Sequence, residues 1–310
     1  IHSHLSASYP FFVARSEPIY MTEDIRRTAS DALMVKMMLA RRGYTDDPFA
    51  ADFAARLGVE DRWVDPIVHL GYWLRCHIFE TKVRRFIDRF DGQCRVVCLG
   101  AGYDTLPMRL ARDRVKPEVW VDIDMSQNAE EREGLMGTTL ARGFIDTPVQ
   151  WHFNIGHDLR KGLPELPGSP DLPTLFIAEC LFMYLEPKYT GLILAQIAMM
   201  RRTCIVTYDA FNPNDGFGKI MIRNLKQRGL SLEGVLGCPT LEDQRDRLSK
   251  AGFKVTAARD CKDLFDNHID KEAKETASRK VMIDEWEQFN MLIVHYCCTF
   301  GDNGTGVMLL

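Results

Sequence analysis

The sequence has no apolar run near the ~20 residues that a membrane-spanning helix needs, so no membrane partner is expected. It has no long basic run either. Its 39 Lys and Arg stand against 43 Asp and Glu, a net charge of −4, so nucleic acid is not expected as a partner. The nine cysteines show no paired C-x-x-C spacing, and their number is odd. That pattern excludes a disulfide framework and fits free thiols in a reducing compartment, which makes a cytoplasmic protein the expectation. The start at Ile1 lacks the charged-then-apolar order of a signal peptide. Residues 1–18 are expected to be a disordered N-terminus outside the folded domain. No internal repeat is visible, which speaks against a solenoid or propeller.

What is present is an ordinary globular balance, 46% hydrophobic and 26% charged over 310 residues. A core of that size needs no metal or disulfide staple, and none is implied. The first third reads as helical. Thr28 to Asp31 supply capping side chains before Leu33, Lys36 and Leu39, and Gly43 follows as a stop. A second helix is expected from about Gly71 to Phe90, where Phe79, Val83, Phe86, Ile87 and Phe90 form one stripe.

Then the period changes. Short β-branched runs occur at Arg95–Leu99, Val119–Asp122, Gln150–Phe153, Thr174–Ala178 and Thr203–Tyr208, with helical patterns between most of them. Strands alternating with helices imply a doubly wound, mostly parallel α/β sheet. Lys254–Ala258 and Leu292–Phe300 are two further candidate strands, which makes seven. The expected organisation is a single domain over 19–310, with a helical lid at 19–92. A Rossmann-like core follows at 93–310 and carries a helical insertion at about 216–252.

The candidate site residues cluster at strand ends. Leu99-Gly-Ala-Gly-Tyr-Asp-Thr105 follows the first strand, and its glycines allow a tight turn and close approach of a ligand. The third glycine of a dinucleotide fingerprint is missing. Asp104, close to where it would stand, would repel a pyrophosphate at the helix start. Asp122 ends the second strand about twenty residues on, where a carboxylate accepts both ribose hydroxyls. Asp124 shares its strand face, but Asp122 is preferred as nearer the apolar run. Asp158 reads equally as an acceptor for an adenine amino group, with Leu159 packed on the ring, or as a helix N-cap. Glu179, at the end of the fourth apolar run, would be costly without a partner and is suited to an ammonium group. Arg75 is anomalous on its apolar stripe and must reach water or an anion, with Lys36 as a second cation.

Together these residues resemble the leucine carboxyl methyltransferase family, from about Ser30 to Phe300. The segments that carry the resemblance are Arg42–Phe49, Gly71–Arg75, Leu99–Thr105, Val121-Asp122, Asp158–Arg160, Leu172–Cys180, Phe217–Ile222 and His295–Cys297. The resemblance implies a class I S-adenosylmethionine-dependent methyltransferase fold, with S-adenosyl-L-methionine as cofactor. It also implies that Lys36 and Arg75 hold the methionine carboxylate, that Gly100 contacts the cofactor and that Asp122 binds the ribose. Asp158 and Leu159 then receive adenine, and Glu179 is the acid at the end of the fourth strand. The implied acceptor is the C-terminal leucine carboxylate of the protein phosphatase 2A catalytic subunit, and a monomer is expected.

An acceptor carboxylate is already ionised near neutral pH, so no general base is required. Tyr184 and Tyr208 are candidates to orient it, and either reads equally as a core tyrosine. One rival is a carboxyl methyltransferase acting on a modified tRNA base in wybutosine synthesis, whose relatives usually carry a repeat-rich propeller. A second is a nicotinamide-dependent oxidoreductase, disfavoured by the incomplete glycine fingerprint. A third is a non-catalytic binding module with a relic pocket, disfavoured by the intact cofactor set.

Overall fold

The computed structural model describes residues 23–137, 142–144, 150–280 and 286–310. The expectation for residues 1–18 lies outside these described residues. Three helices form a lobe: α1 (Glu23–Arg41), α2 (Pro48–Arg56) and α3 (Pro66–Arg89). Helix α1 does not begin after Thr28–Asp31, as the capping side chains suggested; those residues lie within it. They are polar because Thr28 and Asp31 face a crevice, not because the helix starts there. The stop at Gly43 is real. Its φ of +71° suits glycine, and Tyr44 N–H closes on the Leu39 carbonyl at 2.8 Å. Helix α3 starts at Pro66 rather than Gly71, because Asp65 accepts from Ile67 N–H and proline takes the first turn.

The core follows as β1 (Arg95–Leu99), α4 (Leu106–Arg112), β2 (Val119–Asp124), α5 (Ser126–Met136), β3 (His152–Gly156) and β4 (Thr174–Glu179). Next come α6 (Pro187–Met199), β5 (Thr203–Ala210), α7 (Gly216–Gln227), α8 (Glu233–Gly237), α9 (Leu241–Ala251) and β6 (Val255–Asp260). The described chain closes with α10 (Lys271–Ser278), α11 (Trp286–Ile293) and β7 (Tyr296–Asn303). Seven strands make one sheet in the order β3-β2-β1-β4-β5-β7-β6. All neighbours are parallel except β7, which runs antiparallel to β5 and β6. This is the class I methyltransferase architecture. Strands β1 and β5 are buried along their whole length, which is why they read as continuous apolar runs. The expected strand at Leu292–Phe300 splits. Leu292 and Ile293 end α11, and β7 starts at Tyr296. An unbroken apolar run does not reveal such a change of period.

Chain order reverses between β1 and β4, which opens a crevice at their carboxyl ends. Helices α1 and α3 cover it from one side, and α7 and α8 stand on the other. Helix α9, in contrast, packs on β6, β7 and α6 as an ordinary covering helix. Helix α8 presses directly on the loop after β4. Gly234 N–H donates to the Met183 carbonyl at 3.1 Å, and a Cβ on Gly234 would lie 1.8 Å from the Phe182 carbonyl oxygen. Backbone must move to admit any side chain there. Gly234→Ala should therefore cost about 1–3 kcal/mol of stability, read as a lower thermal midpoint. An unchanged midpoint would show that α8 is not seated on the loop as described.

Candidate active site

The crevice is a cavity of about 500 Å³. One end is built from charges supplied by four separate elements. Lys36 of α1 donates to Asp104, in the glycine turn, at 3.0 Å and pairs with Glu179 at 3.2 Å. Arg75 of α3 donates through Nε to the same Glu179 oxygen at 2.5 Å. All four side chains are about nine-tenths buried and line the cavity. Burial opposes the Lys36 ammonium, but Asp104 and Glu179 outweigh it and hold its pKa above the ordinary value. Burial likewise opposes the Asp104 carboxylate, yet Lys36 and Arg109 hold it down at about 2. Its contribution to stability is thus fully present above the ordinary value of 3.8 and is lost as pH falls toward about 2. Sequence reasoning read Asp104 only as a repulsion; its partner sits 68 positions away, beyond the reach of local pattern.

The glycine turn gives the crevice its floor. Gly100 and Gly102 have φ of +69° and +50°, and a Cβ on Gly100 would meet Leu181 at 3.0 Å. The acid beside this turn is Asp124, not Asp122. Asp124 lines the cavity and accepts from Gly102 N–H and Met125 N–H, each at 2.7 Å, and from Asn128 at 3.0 Å. Burial raises its pKa against those hydrogen bonds. Asp122 is only 1% exposed and lies one layer back. It accepts from Arg132 at 2.6 Å, Trp120 Nε1 at 2.8 Å and contacts His152 Nε2 at 2.8 Å. Burial opposes its charge, and Arg132 and His152 hold its pKa down. Arg132 in turn donates to the Gly102 carbonyl at 3.2 Å, so Asp122 supports the turn through Arg132. The structure places Asp124 rather than Asp122 on the crevice: both acids share a strand face, but the last residue of the strand, not the more apolar position, reaches it.

Asp158 and Leu159 line the cavity on the β3 side. Asp158 is an N-cap, accepting from Arg160 N–H at 3.0 Å and pairing with the Arg160 side chain, so the N-cap reading holds. Tyr184 also lines the crevice. Tyr208 does not. It is 3% exposed, packs against the Arg75 guanidinium at 5.7 Å and stacks on Tyr296 at 5.4 Å. It backs the charge cluster, and Tyr72 and Tyr296, not singled out from sequence, take the crevice positions. Cys180, in the left-handed region at φ +53°, also lines the cavity, but burial pushes its thiol up to about 12 and leaves it a poor nucleophile. Among the described residues no cluster of His, Cys, Asp and Glu suits a metal ion, and no helix is long and apolar enough to cross a membrane.

Comparison with known proteins decides the family. The model of leucine carboxyl methyltransferase matches residues 24–198, more than half of the chain. The chain is 32% identical over 307 residues to leucine carboxyl methyltransferase 1 of Caenorhabditis elegans, covering 91% of this chain and 92% of that one. This chain belongs to the leucine carboxyl methyltransferase family. It is also 29% identical to leucine carboxyl methyltransferase 1 of Schizosaccharomyces pombe, over 89% of this chain and 94% of that protein. Human tRNA wybutosine-synthesizing protein 4 is 27% identical over 88% of this chain, but only 43% of its own length is matched. Membership makes the chain a carboxyl methyltransferase that uses S-adenosylmethionine.

The crevice fits that cofactor on its own chemistry. Two cations and two carboxylates face one end, as a zwitterionic amino-acid group requires, and a turn that excludes a Cβ leads to a strand-end acid suited to a ribose diol. Asp124→Asn should weaken S-adenosylhomocysteine binding roughly ten- to a hundred-fold, through loss of charge-assisted hydrogen bonds, while the protein stays folded. Asp122→Ala leaves Arg132 buried without its carboxylate and should cost about 3–5 kcal/mol of stability. Calorimetric titration and thermal melting of both variants check this. A stable Asp122→Ala protein that has lost cofactor affinity would return the ribose role to Asp122.

Proposed function

We propose that this methyltransferase esterifies the α-carboxylate of the C-terminal leucine of the protein phosphatase 2A catalytic subunit. The observation that carries the reading is the division of the crevice. Its charged half suits the amino-acid end of the cofactor. Besides that charged cluster the crevice is lined by Tyr184, Leu185, Leu225, Leu230 and Tyr296, apolar surface edged with hydroxyls, together with the Asp31–Arg228 pair and Glu233. Family membership supports leucine as its occupant.

S-adenosylmethionine supplies an electrophilic methyl group on a sulfonium. Lys36 and Arg75 take its carboxylate, and Glu179 and Asp104 its ammonium, each exchanging a partner within the cluster for one on the ligand. Gly100 offers backbone, Asp124 accepts the ribose hydroxyls, and Asp158 with Leu159 receives adenine. The acceptor carboxylate is ionised at neutral pH, so the protein has no proton to remove. Its task is alignment and exclusion of water. Burial holds the Tyr184 hydroxyl protonated far above neutral pH, which suits it to donate to the acceptor carboxylate and orient it. Tyr208 keeps Arg75 in place from behind.

Transfer of labelled methyl groups tests the assignment. The phosphatase catalytic subunit should accept label, the same subunit lacking its last leucine should not, and mild base should release the mark as methanol. Label that survives base, or that is retained without the leucine, would contradict the proposal; label on tRNA instead would select the wybutosine-type activity.

A further inference from the structure

His295 and Phe217 belong to two segments of the family resemblance that cofactor binding leaves unexplained, and the structure brings them together. Their rings lie 4.4 Å apart. The His295 side chain is only 1% exposed. Its Nδ1 lies 2.7 Å from the Met291 carbonyl oxygen, in α11. Its Nε2 lies 2.9 and 3.0 Å from the two carboxylate oxygens of Asp215, the residue that caps α7. A carbonyl only accepts. The Asp215 carboxylate also accepts, since Gly218 N–H binds it at 2.8 Å and holds its pKa, together with His295, below the usual range. A neutral imidazole has one N–H, so it can satisfy one of these contacts and must turn a lone pair toward oxygen at the other. Both contacts are satisfied only by a ring that carries both protons. Asp215 is the charged group that reaches the ring among the described contacts; the Met291 carbonyl and the Phe217 ring meet it from α11 and α7.

What this ring holds matters because α7 has little else. Gly218 is its one buried residue, packed so that a Cβ would lie 2.3 Å from the Asn212 carbonyl. Met221, Ile222 and Leu225 add a thin, partly buried apolar strip. Yet α7 carries Leu225 to the crevice and leads into Arg228 and Leu230, which also line it. On the other side, His295 carbonyl accepts from Phe211 N–H at 2.9 Å, and the next residue, Tyr296, faces the crevice. One side chain therefore ties the start of the α7 wall to the strand that bears Tyr296.

We propose that His295 is a positioning residue for the acceptor half of the crevice: with both ring nitrogens donating, it pins the start of α7 through Asp215 to the strand that bears Tyr296. The proposal rests on the assignment of this half to the acceptor.

The test compares wild type with His295→Gln and Asp215→Asn at one fixed pH. Histidine NMR, assigned by difference, should show protons on both His295 nitrogens in the wild-type protein. In His295→Gln, hydrogen exchange across residues 216–230 should speed roughly ten-fold or more, as expected for loss of a charge-assisted bond, while β1 and β2 keep their protection. Asp215→Asn, which keeps a helix cap and removes the charge that His295 meets, should shift exchange in the same direction. The acceptor KM should rise in both variants, with S-adenosylhomocysteine affinity little changed. A wild-type ring with a single proton, or exchange in 216–230 identical in wild type and the folded variants, would overturn the proposal. Asp215 is half-exposed, so its variant decides the matter even where His295→Gln fails to fold. NMR and exchange need no acceptor, so failure of methyl transfer to the phosphatase would remove the assignment of function and leave the pinning itself decided.

Discussion

Glu179 binds two cations from two helices, and the rest of the site depends on that arrangement. Arg75 arrives from α3 and Lys36 from α1, and Lys36 continues to Asp104 in the glycine turn. The helical lobe is thereby fastened to the carboxyl ends of β1 and β4 by charge as well as by apolar packing. Buried charges of this kind stabilise little in net terms, because desolvation offsets their attraction. Their presence is better explained by use. Two cations and two anions already arranged in alternation can receive a zwitterion with little rearrangement, and the dry surroundings strengthen each contact.

The same logic separates the two acids of β2. Asp124 stands at the strand end and touches the turn directly, with capacity left to accept hydroxyls. Asp122 is enclosed by Arg132, His152 and Trp120, and reaches the turn only through Arg132 and the Gly102 carbonyl. One carboxylate is open to the crevice, and the other supports the geometry of the loop beside it. On the opposite side of the crevice, Tyr208 stands behind Arg75 in a comparable way.

Much of this was legible in the sequence, for identifiable reasons. The strands β1 and β4 are short apolar runs buried on both faces, so period and length place them well. Glu179 and Arg75 announced themselves as charges in apolar settings that demand partners. Other features depend on distance in space. The start of α1 was misplaced because Thr28 and Asp31 are polar for the sake of the crevice, and the start of β7 because Leu292 to Phe300 is apolar across a change from helix to strand. Asp124 was passed over because strand patterning gives the face of a residue but not its depth. Tyr208 and Tyr184 are equivalent as sequence, and only the fold puts one in the core and the other on the wall. His295 meets Asp215 from 80 positions away, a pairing that no local pattern encodes.

The central claim is that the four-charge cluster of Lys36, Arg75, Asp104 and Glu179 receives the amino-acid end of the cofactor. Calorimetric titration of S-adenosylhomocysteine beside methylthioadenosine, which keeps the nucleoside and lacks the amino-acid group, tests it most directly. The account predicts at least roughly a hundred-fold weaker binding without that group, from loss of two or more charge-assisted bonds. It also predicts that the gap narrows sharply in Arg75→Met. Equal affinity for the two ligands, or a gap that persists unchanged in a folded Arg75→Met protein, would contradict it.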